Sequence, residues 1–142
     1  MPVGDRTVDF NVPKDIPGND SLGYPMWKEA FKDADYVWYV FRADLMAVGD
    51  PTTISIVSDH LDALKDWVDK ARGKKPKIIL IGTFADLSPV YSQNLAEFRQ
   101  SVASGESIKI GLVKLKNAKL VVGSLIREKD AISLIKNLSS HL

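Results

Sequence analysis

Three short apolar runs constrain this chain most: Tyr36-Val37-Trp38-Tyr39-Val40-Phe41, Ile78-Ile79-Leu80-Ile81 and Leu120-Val121-Val122. Between them lie longer stretches in which apolar residues return every three or four positions. β-branched and aromatic side chains favour strands, and an unbroken apolar run needs cover on both faces. Helices between successive strands supply that cover and allow neighbouring strands to run parallel. The expected fold class is therefore α/β, a layered, mainly parallel sheet with helices on both faces.

The alternating segment 7–12 reads as a further strand, ended by Pro13. With it, the expected strands are 7–12, 36–42, 77–82 and 119–123, and 36–42 should be central and buried on both faces. Ile54, Val57, Leu61, Leu64 and Val68 mark a helix over 54–72, with Asp50 or Thr52 as its cap and Gly73 at its end. Leu95, Phe98 and Val102 mark a helix over 92–103, closed near Gly105. Ala131, Leu134, Ile135 and Leu138 stripe a terminal helix over 128–139. Pro25 suits the first turn of a short helix over 26–31. Residues 44–51 read as a loop, and 106–117 as a loop or edge element because Gly111 and nearby lysines interrupt the pattern.

The 142 residues suffice for one domain with its own core. Nineteen basic against eighteen acidic residues leave a formal charge of +1, which gives no electrostatic reason to expect a nucleic acid or an anionic membrane as partner. The run Lys74-Lys75-Pro76-Lys77 reads as a solvated approach to a strand. Cysteine is absent, which excludes disulfides and thiol catalysis and fits a reducing compartment. No apolar run approaches 18 residues and the N-terminus has no signal pattern, so the expected location is cytoplasmic.

Chemistry-bearing residues gather where strands end. Asp15-Ile16-Pro17-Gly18 follows the first strand, Thr83-Phe84-Ala85-Asp86 follows the strand over 77–82, and Ser124-Leu125 follows the last. In open α/β sheets, ligands bind outside the carboxyl ends of the strands. Order and spacing resemble the carboxy-terminal part of a translation-factor-type small GTPase (P-loop GTPase) domain, over roughly residues 7 to 140. The chain is then a single truncated GTPase-like domain, 1–142, missing that family's first strand and phosphate-binding loop. No GxxxxGK[ST] run occurs in it.

The resemblance implies roles residue by residue. Asp15 would act on magnesium through a bound water, and the Gly18 amide would face the γ-phosphate. Asn19 stands where the family's water-orienting glutamine follows that glycine. Thr83 to Asp86 match the base-recognition motif [NT]KxD, with Asp86 accepting hydrogens from guanine and Phe84 replacing the lysine that packs over the base. Ser124 and Leu125 match the last motif, whose backbone approaches the guanine carbonyl. In the family the missing first strand lies between the DxxG strand and the one matching 36–42. Segment 7–12 should therefore pair directly with 36–42 or leave a slot, through which a protein partner or a second copy could add a strand.

The expected function is a degenerate, non-hydrolysing GTPase-like domain in protein interaction or regulation. No cofactor is expected for this chain alone, with GTP or GDP and magnesium bound if the missing segment is supplied. That supplied segment defines the second reading, a GTP-binding GTPase represented by its carboxy-terminal portion. A third is a small α/β adaptor or immunity-type binding protein. Other chemistry has little support in the residues. His60 reads as a half-exposed surface histidine, His141 lies in the terminus, and neither joins a metal or triad pattern. Trp27, Trp38 and Trp67 read as packing residues.

Overall fold

The computed structural model describes residues 2–3, 6–7, 28, 31–32, 34–73, 75–88, 94–116, 118–125 and 128–141. Two short strands, β1 (Pro2–Val3) and β2 (Arg6–Thr7), pair antiparallel, with Pro2 opposite Thr7. Three longer strands form a second, parallel sheet in the order β3 (Tyr36–Arg42), β4 (Lys77–Thr83), β5 (Lys119–Val122). Val37 lies opposite Ile78, Tyr39 opposite Leu80, and Leu80 in turn opposite Leu120. Positions 8–12 of the first expected strand, and with them its pairing to 36–42, lie outside the described residues.

Five helices have described bounds: α1 (Ala43–Ala47), α2 (Pro51–Lys70), α3 (Leu95–Ser104), α4 (Glu106–Lys114) and α5 (Glu128–Ser139). Lys28, Phe31 and Lys32 are helical too. Asp50 caps α2 by accepting the Thr53 amide at 2.9 Å, ahead of a proline in the first turn. Asn94 caps α3 in the same way, accepting the Glu97 amide at 3.0 Å.

The pleat divides the core. Tyr39, Phe41, Ile78, Leu80, Leu120 and Val122 point to one face, where Val57, Leu61 and Leu64 of α2, Phe98 and Val102 of α3 and Ile108 of α4 cover them. Ile79, Ile81 and Val121 point to the other and meet Leu134 and Leu138 of α5. Phe98 is fully buried, and removing such a ring costs about 3–5 kcal/mol.

Four expectations are corrected. The strand over 36–42 is not buried on both faces, because α5 covers β4 and β5 but leaves Trp38 41% and Val40 58% exposed on β3. The central strand is β4, which like β5 is buried on both faces. Residues 43–47 form helix α1 rather than a loop. Residues 106–114 form helix α4, not an edge element. There Gly111 permits the approach of α2: a Cβ on it would lie 2.5 Å from Leu61 Cδ1. Finally, Ile135 of the terminal stripe is 46% exposed, and Leu134 does the packing.

Candidate functional site

The parallel register brings three strand ends to one rim of the sheet: Arg42 ends β3, Thr83 ends β4 and Val122 ends β5. Close packing under this rim requires a glycine at the end of β4. A Cβ on Gly82 would lie 2.8 Å from Ala43 Cβ and 3.2 Å from Phe41 Cζ. The loops are then tied by backbone hydrogen bonds. The Gly123 amide donates to the Gly82 carbonyl at 2.9 Å, and the Ala85 amide donates to the Gly123 carbonyl at 3.3 Å.

On this frame the chain turns sharply. Phe84 adopts the left-handed conformation, with φ at 58°, and Ala85–Leu87 form one 3₁₀ turn. A left-handed phenylalanine is uncommon and costs backbone energy. The turn carries Asp86 towards β5, where it accepts a 2.5 Å hydrogen bond from the Ser124 hydroxyl. Ser124 is fully buried. Its hydroxyl is directed at Asp86.

Arg42 and Asp44 complete the rim. The Arg42 guanidinium donates to both carboxylate oxygens of Asp44, at 2.9 and 2.7 Å, in the bidentate geometry that suits the pair. It also lies over the Phe84 ring, 4.3 Å from the centroid, a cation–π contact. The hydrogen bonds from Arg42 hold the Asp44 carboxyl below its ordinary range against the opposing effect of burial. Hydrogen bonding to Asp44 in turn raises the Arg42 guanidinium, and the charge of Asp86 adds to this.

Among the residues expected at the site, Thr83, Phe84, Asp86, Ser124 and Leu125 thus lie on two adjacent, bonded loops. The Thr83 hydroxyl donates to the Phe41 carbonyl at 3.2 Å and secures the strand end. Phe84, Leu87 and Leu125, on the same two loops as half-buried Asp86 and buried Ser124, are 44, 56 and 64% exposed. Asp15 and Gly18 lie outside the described residues. Arg42 and Asp44 escaped the sequence reading, although their position at a strand end was a usable signal. His60 is a correction: it is 6% exposed, and its Nδ1 lies 2.7 Å from the Tyr39 hydroxyl inside the core.

Among the described residues, no group of three or more His, Asp or Glu side chains is placed to hold a metal. Nor is any described helix long and apolar enough to cross a membrane. Comparison with protein-family models, curated proteins and solved structures gives no match.

Proposed function

We propose that this chain is a GTPase-like domain that does not hydrolyse nucleotide and works by binding protein through the rim of its sheet. The observation that carries the reading is the Ser124–Asp86 hydrogen bond. It joins the two segments that the resemblance assigns to base recognition, at the carboxyl ends of adjacent parallel strands. The same corner is engaged internally: Arg42 covers Phe84 and grips Asp44. Around it Phe84, Leu87 and Leu125 offer apolar side chains beside an arginine, a composition typical of protein-binding surfaces. The sequence supplies no glycine-rich amide nest and lysine to grip phosphates, so binding a triphosphate would leave much of its charge unmatched.

Two measurements test this. Calorimetric titration of the chain with GDP and GTP in magnesium should give no saturable heat. Binding at micromolar nucleotide would overturn the proposal. Affinity capture should then be compared between the parent and a Phe84→Ala, Leu125→Ala variant. A partner lost by the variant supports the rim as the interface, and partners retained equally by both exclude it.

One observation favours the second reading, a nucleotide-binding domain completed by a separate phosphate-binding segment. Ser124 engages Oδ1 of Asp86, and a carboxylate offers about four acceptor sites. Acceptor capacity for the two guanine donors is therefore left. In a completed protein, Asp86→Asn would weaken guanine nucleotide more than adenine nucleotide. Equal GDP affinity for parent and variant would remove this reading.

A further inference from the structure

The carboxylate of Asp86 is held in a fixed direction. Ser124 donates to its Oδ1 at 2.5 Å, and Ser124 is fully buried, so the bond anchors Asp86 from the interior. Asp86 itself is half-buried and so remains accessible in part to solvent. A carboxylate has about four acceptor positions, and one hydroxyl fills one of them. Its chain neighbours are apolar. Phe84 and Leu87 lie on the same loop and Leu125 follows Ser124, and all three side chains are exposed.

Such a carboxylate is best matched by a donor that loses little on leaving water. Guanidinium is more weakly hydrated than ammonium, and its planar fork presents paired N–H groups to two oxygens. The rim contains one such pairing already. Arg42 donates to both oxygens of Asp44 and lies over the Phe84 ring. Its hydrogen bonds go to Asp44, while the charge of Asp86 also acts on it. One guanidinium thus serves two carboxylates. A second would be repelled by Arg42, but Asp44 offsets that repulsion, and Asp86 supplies the attraction.

We propose that the rim recognises an arginine of a partner protein, carried between apolar residues, with Asp86 taking the guanidinium and Phe84, Leu87 and Leu125 packing on its neighbours. The inference rests on the reading of the rim as a protein-binding surface and gives the partner its chemistry. Oδ1 keeps its bond from Ser124 on one lone pair, and its other lone pair and Oδ2 accept the fork. A lysine offers a compact, strongly hydrated charge and matches the two oxygens less well. A charge contact of this kind fixes the partner's register, while the apolar side chains supply contact area.

The test uses the 142-residue chain. Acetyl-Leu-Arg-Leu-amide and its lysine and citrulline counterparts are titrated while nitrogen-15 NMR follows the Ala85, Gly123 and Ser124 amides. The arginine peptide should bind saturably and shift these signals, about tenfold more tightly than the neutral citrulline peptide, as expected for hydrogen bonds between charged groups. The lysine peptide should fall between them, and the preference for arginine should shrink as salt is raised. Asp86→Asn keeps an acceptor for Ser124 and should give the arginine and citrulline peptides equal affinity. Asp66→Asn, exposed on α2, should leave the preference intact, and Leu125→Ala should weaken all three peptides alike. Equal affinity of the arginine and citrulline peptides for the parent would overturn the proposal. So would a preference that survives Asp86→Asn, or rim amides unmoved by the arginine peptide. Guanosine is titrated alongside: binding tighter than that of the arginine peptide, and lost in Asp86→Asn, would return Asp86 to base recognition and overturn the proposal as well. The capture comparison with Phe84→Ala, Leu125→Ala judges the rim separately. Partners lost by that variant, together with equal arginine and citrulline affinities, would sink the arginine contact alone, whereas partners retained would sink the rim itself.

Discussion

Tyr39 of β3 and His60 of α2 are joined inside the core, hydroxyl oxygen to Nδ1 at 2.7 Å, with the rings edge to face and their centroids 5.5 Å apart. A buried polar group must be matched, and this contact does so across the interface between sheet and helix. Tyr39→Phe is therefore expected to lower stability by about 1–2 kcal/mol, the cost of a buried polar group that loses its partner. A double-mutant cycle with His60→Phe checks the origin. If the bond is responsible, the two losses are less than additive; strict additivity in urea unfolding would refute the coupling.

Asp44 makes the fold acid-sensitive. Its folded pKa is depressed, first by the hydrogen bonds from Arg42, so the stabilisation is fully present above the unfolded value, about 3.9. It is lost as pH falls through the lower folded value. Denaturation midpoints should therefore decline on acidification below about pH 4. In Arg42→Ala the decline should be shallower, because the unfolded and folded values converge. An unchanged pH profile in that variant would contradict the role given to the pair.

Gly82→Ala should destabilise despite removing the entropic disadvantage of glycine in a strand. The new methyl would meet Ala43 Cβ, 2.8 Å away and anchored directly on the backbone. Overpacking of this kind costs about 1–3 kcal/mol. Urea unfolding measures it. Because the clash lies under the rim, exchange protection of the Ala85 and Gly123 amides should also fall, and a variant as stable and protected as the parent would exclude the clash.

Ser124→Ala should cost about 1.5–3 kcal/mol, since it removes a hydrogen bond to a carboxylate from a fully buried site. Asp86→Asn should cost less, because an amide oxygen still accepts from the hydroxyl. Thermal and urea unfolding of both variants give the order, and the reverse order would show that the charge of Asp86, rather than the bond, is what matters.

Much of the fold was legible in local pattern. The apolar runs at 36–42, 77–82 and 119–123 became three parallel strands, and the stripes through Leu61, Phe98 and Leu134 became helices. Asp50 was legible as a cap because capping depends on neighbours in sequence. Segment 106–114 was misread because Gly111 breaks a helix pattern locally, and only the approach of Leu61 gives it a use.

The site divides along the same line. The residues after β4 and β5 could be picked out as strand-end motifs, since a strand that ends fixes where the next side chains emerge. What those side chains touch was decided in three dimensions. Ser124 and Asp86 are 38 positions apart, Tyr39 and His60 are 21 apart, and neither pairing has a periodic signature. The sequence alone determined the alternation of strands and helices, because hydrophobic periodicity and capping act over one or two turns. The tertiary structure alone decided which face of β3 stays uncovered, where Arg42 reaches and that His60 is inside, because register and helix placement join residues distant along the chain.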